Sequence, residues 1–228
     1  MIKAVIFDMF ETLITHYESP LYMAKQICVD IGITEAKFRE IWNATDEDRT
    51  LGRKSLEEVI EEILYVNGRY SHELFNLIIE KRKQSKVECF NHIHEEIIPT
   101  LKALKEHNFK IGLITNCYFE ERDVICKSPL FDYFDALCMS CELGLQKPDT
   151  EIFKKCTELL SVDANECIYV GDGGSFELET AKSLGMHPLQ ATWYFKEIEN
   201  YPQKANQNFL QAKSPMEIFR EIEKHNAK

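Results

Sequence analysis

Five short apolar runs constrain this chain most: AVIF at 4–7, KIGLIT at 110–115, ALCMS at 136–140, CIYVG at 167–171 and PLQAT at 188–192. A strand with one wet face alternates polar and apolar residues, whereas a strand buried on both faces reads as a continuous apolar run. These runs are of the second kind, so they predict buried parallel strands. Between the later ones lie segments with helical spacing: IIPTLKALKEH (97–107), TEIFKKCTELL (150–160) and SFELETAKSLG (175–185), the last ending in a glycine suited to a helix C-cap. Strand and helix alternating in this way predict an α/β fold with a Rossmann-like, doubly wound parallel sheet.

The first and second strands are separated by a stretch without strand character. Residues 16–90 read as helices: SPLYMAKQICVDIG, TEAKFREIWNAT, SLEEVIEEILYVNG and SHELFNLIIEKRKQ, opening on Ser or Thr caps. The span is too long for a loop. It predicts a small helical domain at 16–90 inserted into a core domain made of 1–15 and 91–228. The tail SPMEIFREIEKHNAK (214–228) reads as a last amphipathic helix.

Composition narrows the partners. The net charge of −11 over 228 residues argues against nucleic acid, which is bound by a basic face. The one basic run, EKRKQSK at 80–86, reads as the solvated end of a helix. No apolar run approaches the roughly 18 residues of a membrane span, and MIKAVIF is too short for a signal peptide. Eight scattered cysteines predict reduced thiols in a cytoplasmic protein. The chain is expected to act as a monomer or homodimer. CMSC (138–141) has C-x-x-C spacing but no companion pair, and reads as small residues ending a buried strand.

Open α/β sheets bind ligands outside the carboxyl ends of their strands. There the chain places Asp8, then Thr115 with Asn116, then Lys147 in LGLQKPD, then Asp172 and Glu177 in VGDGGSFELE. Each alone has an ordinary explanation as a cap, a turn or a surface loop. Together they assemble three carboxylates, a hydroxyl and a lysine on one sheet edge, a set suited to a divalent metal and a phosphoryl group.

In this order the motifs FDMFETL, LITN, LQKPDTEIF and YVGDGGSFELETAKSLGM resemble those of the haloacid dehalogenase superfamily, over essentially the whole chain. The insertion is similar to that family's α-helical cap. The resemblance implies a hydrolase in which Asp8 is the nucleophile, and a Mg²⁺-dependent phosphatase acting on a small phosphorylated metabolite. Mg²⁺ would be held by Asp8, the Phe10 backbone carbonyl and Asp172, with Glu177 bracing the metal site. Thr115 and Asn116 would hold phosphate oxygens, and Lys147 would offset the repulsion between Asp8 and phosphate.

One position departs from the pattern. Family phosphatases carry an aspartate two residues after the nucleophile, as general acid and base; here that residue is Phe10. Acid–base help is worth about 10²–10⁴ in rate. Haloacid dehalogenases, which expel a halide and work without metal, have an aromatic residue there. A dehalogenase-type hydrolase and a non-catalytic binding or regulatory member are therefore the alternatives. Glu11 is a candidate substitute acid, though neighbouring side chains tend to point apart. Tyr17, Tyr22, Lys25, Arg53 and Lys54 are candidate substrate contacts from the insertion, and His92 and His94 read as an exposed linker.

Overall fold

The computed structural model describes residues 1–195 and 203–227. The first strand, β1 (Ala4–Phe7), leads into five helices: α1 (Ala24–Ile31), α2 (Glu35–Ala44), α3 (Asp46–Thr50), α4 (Leu56–Val66) and α5 (His72–Cys89). The chain then returns through α6 (Ile97–Glu106) to β2 (Lys110–Thr115), α7 (Phe119–Ile125), β3 (Ala136–Met139), α8 (Ser140–Leu143) and α9 (Thr150–Leu160). It ends with β4 (Cys167–Gly171), α10 (Glu177–Ser183), β5 (His187–Ala191), β6 (Leu210–Ala212) and α11 (Ile218–Asn226). Residue 228 of the expected C-terminal helix lies outside the described residues.

The strands form one parallel sheet in the order β3-β2-β1-β4-β5-β6. Alternate residues of β1 feed opposite faces. Val5 and Phe7 join Leu101, Leu104, Ile218 and Ile222 on one side, while Ala4 and Ile6 join Ile152, Phe153, Cys156 and Leu178 on the other. Because both faces are covered, every residue of β1 and β4 is buried. That is why those runs lack polar alternation. The strand order reverses direction at β1, so the crevice above β1 and its neighbours is where such sheets bind ligands.

The inserted helices bury their own core, including Ile27, Phe38, Ile60, Ile63 and Ile78. Thr34, Ser55 and Ser71 cap α2, α4 and α5 by accepting backbone N–H bonds, as their sequence positions predict. The basic run at 80–86 is solvated only in part, with Lys81 and Lys83 exposed and two other cations buried. Arg82 and Lys86 are 4% exposed. Lys86 Nζ lies 2.6 Å from Glu121 Oε1, and Arg82 Nε lies 3.5 Å from Glu120 Oε1, both acids belonging to α7. The helix also runs to Cys89, past the expected end near Gln84. A buried ion network thus ties α5 to the sheet domain; removing one member of such a pair strands the other charge. Among the described residues no helix is long and apolar enough to cross a membrane.

Candidate active site

The sheet brings four strand ends together. Asp8 follows β1, and its N–H donates to Val170 O of β4 (2.9 Å). Thr115 closes β2, in register with Met139 of β3. Asp172 directly follows β4. Lys147 Nζ donates to Asp8 Oδ1 (2.6 Å) and to Glu177 Oε2 (2.5 Å), linking the nucleophile candidate to the acid at the start of α10. Asp8, Asp172 and Glu177 each offer an oxygen within 4.8 Å of the others, and all three are buried.

Charge in this pocket is unbalanced, with three carboxylates facing one lysine. Burial pushes the Asp8 carboxyl up to about 7, against the pull of Lys147. Burial, then the charges of Glu177 and Asp8, push Asp172 up to about 8. Burial also works against the Lys147 ammonium, but Asp8 and Glu177 outweigh it and raise its pKa, so it keeps its proton.

These shifts set a pH dependence. A carboxylate whose folded pKa exceeds its unfolded value of 3.8 adds stability below that value and loses it as pH rises through the folded pKa. The cation-free protein is therefore expected to lose stability from about pH 4.5 to 8, by on the order of 1–3 kcal/mol per pH unit, and to level off above. Saturating Mg²⁺ should flatten that slope. Denaturant unfolding across this range checks both; stability that is flat or rising without Mg²⁺ would contradict the picture.

The supporting shell is mostly invisible in sequence. Glu177 is fully buried and accepts from Tyr169 Oη (2.9 Å) and the Gly173 N–H (3.1 Å), besides Lys147. A Cβ on Gly171 would strike the Glu177 carboxylate, and Gly173 takes φ 99°, so both glycines fit what the turn requires. Asp172 Oδ1 accepts from the Gly174 N–H (2.8 Å), and Gln190 Nε2 donates to Asp172 O (2.9 Å). Trp193 Nε1 donates to Thr12 O (2.8 Å) and Tyr194 Oη to Leu13 O (3.2 Å), pinning the loop after Asp8. Ser140 Oγ clasps the backbone of Cys117, accepting from its N–H (2.9 Å) and donating to its carbonyl (3.1 Å).

Several expectations change in detail. The Asn116 side chain is engaged elsewhere: its Oδ1 accepts from the Lys147 N–H (2.7 Å) and its Nδ2 donates to Lys147 O (3.0 Å). It positions Lys147, leaving its backbone N–H as the group suited to a phosphate oxygen. The Glu11 carboxylate accepts from Thr15 Oγ1 (2.5 Å) and the His16 N–H (3.0 Å) and contacts His16 Nδ1 (3.1 Å). Burial works against that charge, but the bonds from His16 and Thr15 outweigh it and lower the pKa. Glu11 is thus ionised at neutral pH and is a poor proton donor. The Phe10 ring stacks on His16 with centroids 4.8 Å apart.

Among the candidates from the insertion, Arg53 and Lys54 pair with the exposed acids Asp48 and Glu62, and Tyr22 donates to Asp30 (2.6 Å). Tyr17 feels the charges of Glu11 and Asp172, which, after burial, raise its pKa. His94 donates its N–H to Tyr194 Oη (2.7 Å), so it belongs to the bracing of the fold. All eight cysteines are free, and Cys141 lies 3.8 Å from Cys117, sulfur to sulfur.

Comparisons with known proteins give the family and the fold. The haloacid dehalogenase-like hydrolase model matches residues 2–185. The chain belongs to the haloacid dehalogenase-like hydrolase family. A curated family relative, the glyceraldehyde 3-phosphate phosphatase of Methanocaldococcus jannaschii, is 28% identical over 82% of this chain and 83% of its own. A 2-haloacid dehalogenase from Pseudomonas syringae pv. Tomato superposes with a TM-score of 0.70 at 21% identity, covering 98% of this chain and 99% of its own. A haloacid dehalogenase-family enzyme from Bacteroides thetaiotaomicron, solved with magnesium and inorganic phosphate, superposes with a TM-score of 0.60 at 18% identity, covering 89% and 98%. At these identities the two structures establish the shared fold.

Proposed function

We propose that this family member is a Mg²⁺-dependent phosphatase of a small phosphorylated metabolite, with Asp8 as the nucleophile. The observation that carries the reading is the buried trio Asp8, Asp172 and Glu177, with Lys147 in contact with Asp8 and Glu177 as the one cation bonded to it among the described residues. An all-oxygen donor set short of positive charge suits a hard divalent cation, which halide expulsion does not require. Asp8, the Phe10 carbonyl and Asp172 would hold Mg²⁺, which when bound supplies charge neutralisation for an incoming phosphate. The curated relative's phosphatase name supports a phosphate ester as substrate.

In this reading the Asp8 carboxylate attacks phosphorus as the bond to the ester oxygen breaks, giving an acyl phosphate and an alkoxide that takes its proton from water; water then attacks phosphorus, releasing phosphate and restoring the Asp8 carboxylate. Lys147 offsets the repulsion between two anions. The Thr115 hydroxyl and the Asn116 backbone N–H hold phosphoryl oxygens. Glu177 braces Lys147 and the Asp172 turn. Residues 16–90 serve as the cap over a core of 1–15 and 91–228, and the free thiols suit a cytoplasmic setting.

Phe10 favours a second reading, dehalogenase-type hydrolysis, because a halide departs without a proton. A panel of aryl, acyl and alkyl phosphates and a 2-haloacid, with Mg²⁺ or EDTA, separates the two. Mg²⁺-dependent phosphate release is expected; metal-independent halide release with no phosphate turnover would overturn the proposal. Phe10→Asp should raise turnover on alkyl phosphates toward the full general-acid benefit of about 10²–10⁴. Aryl phosphates, which need little protonation, should gain far less, and equal gains on both would refute this account of Phe10.

A further inference from the structure

A cavity of about 520 Å³ lies between the inserted helices and the sheet domain, walled by His16, Trp42, Arg82, Lys86, Tyr118 and Glu121 among others. Two short stretches of chain link its wall to the candidate active site. Phe10, two residues after Asp8, stacks on His16, and Tyr118 follows Asn116 by two residues. Two residues of chain span at most about 7 Å.

The wall is cationic. Lys25, Arg39, Arg82 and Lys86 line it, and among the described residues that do so Glu121 alone is acidic. Burial works against the Glu121 carboxylate, yet Lys86 and Arg82 hold it down at about 2, so it is fully committed to those two cations. Glu120 lies behind the wall; burial, then the charge of Glu121, raise its carboxyl toward the neutral form.

Buried polar groups here also lack hydrogen bonds. Among the described residues Nε and Nη1 of Arg49 have no partner, and Arg82 Nε and the Glu120 carboxylate, an ion pair at 3.5 Å, form no hydrogen bond either. Arg49 is 1% exposed and is held between the rings of Trp42 (3.7 Å) and Tyr118 (4.4 Å), both part of the cavity wall. Lys86 has three N–H groups, two of them directed at Glu121 (2.6 Å) and His16 (3.0 Å). Unmet buried donors are costly, and an anionic oxygen group is what satisfies them.

We propose that this cavity seats a second anionic group of the substrate, a carboxylate or a second phosphoryl group, on Arg82 and Lys86 while the first phosphate faces Asp8. The inference rests on the phosphatase reading and adds the substrate class: a compact phosphate ester carrying a further acid.

Three two-carbon phosphate esters test it: phosphoglycolate, ethylene glycol bisphosphate and ethyl phosphate, which has no second anionic group, alongside an aryl phosphate. Wild-type protein is expected to favour at least one doubly anionic probe over ethyl phosphate by about tenfold or more in kcat/KM. Whichever probe is preferred identifies the anion as carboxylate or phosphoryl. The preference should shrink in Lys86→Gln and return in Lys86→Arg, with folding checked by circular dichroism. Equal kcat/KM for the wild type on all three would overturn the assignment, as would a preference that survives in folded Lys86→Gln. If Lys86→Gln does not fold, the wild-type comparison decides. Asp8-dependent turnover of the aryl phosphate without anion preference would overturn this assignment alone. No Asp8-dependent turnover of any probe would overturn the phosphatase reading and this inference with it.

Discussion

Asp8→Asn is expected to lower phosphate-ester turnover by at least about 10⁴-fold, a loss of the size seen when a covalent nucleophile is removed. Asparagine matches aspartate in shape, and its carbonyl oxygen can still accept from Lys147 Nζ, now 2.6 Å from Asp8 Oδ1. The amide cannot attack phosphorus. Stability should change little or rise, because the mutation removes one of three buried carboxylates that compete for one lysine. The check is a pair of measurements: steady-state hydrolysis of an aryl phosphate with Mg²⁺, and thermal unfolding of both proteins. A folded Asp8→Asn protein retaining more than a few per cent of wild-type activity would remove Asp8 from the nucleophile's role.

Lys147→Met is expected to damage both stability and turnover. Lys147 is buried and lies 2.6 Å from Asp8 and 2.5 Å from Glu177. Methionine fills much the same space without the charge, leaving two buried carboxylates uncompensated. Breaking a buried ion pair from one side costs about 3–5 kcal/mol. At about 2–4 °C per kcal/mol for a chain of this size, the melting temperature should fall by roughly 6–20 °C at neutral to mildly alkaline pH. Part of the loss should be recovered at acid pH, where the carboxylates take up protons, and part with Mg²⁺. Turnover should fall as well, because phosphate must then approach Asp8 without an intervening cation. An unchanged melting temperature at every pH would show that the lysine is not the pocket's counter-charge.

The parts legible in sequence share a physical reason. β1, β2 and β4 were readable because strands buried on both faces must be apolar throughout, and Asp8, Thr115 and Asp172 were readable because ligand sites gather at the ends of such strands. The three-residue β6 at the sheet edge carries no such signature. The four-residue α8 is likewise too short for helical periodicity to show. Gln190, Trp193 and Ser140 act through partners distant in sequence, so no local pattern marks them. Tyr169 meets Glu177 only eight residues on, but as one apolar residue among others in a buried strand it gives no sign of that bond.

Arg82 and Lys86 are a different case, because a signal was present. Ile78, Arg82, Lys86 and Cys89 recur at three- and four-residue spacing, one stripe along α5, and all are buried. The apolar face of the helix continues through two cations. Their acidic partners belong to α7, across the sheet domain, and only the folded chain brings them within reach. Phe10 was legible as a departure from the family pattern; that its ring stacks on His16, beside a cationic cavity, was not.

The central claim is that Asp8 and a divalent cation together hydrolyse a phosphate ester. Its most direct test is the initial rate of phosphate release from an aryl phosphate by wild-type protein, first with Mg²⁺, then with excess EDTA, then with Mg²⁺ restored, beside Asp8→Asn. The expected result is a rate that disappears with EDTA, returns with Mg²⁺ and is absent in Asp8→Asn. A rate indifferent to EDTA, or one that persists in Asp8→Asn, would contradict the account.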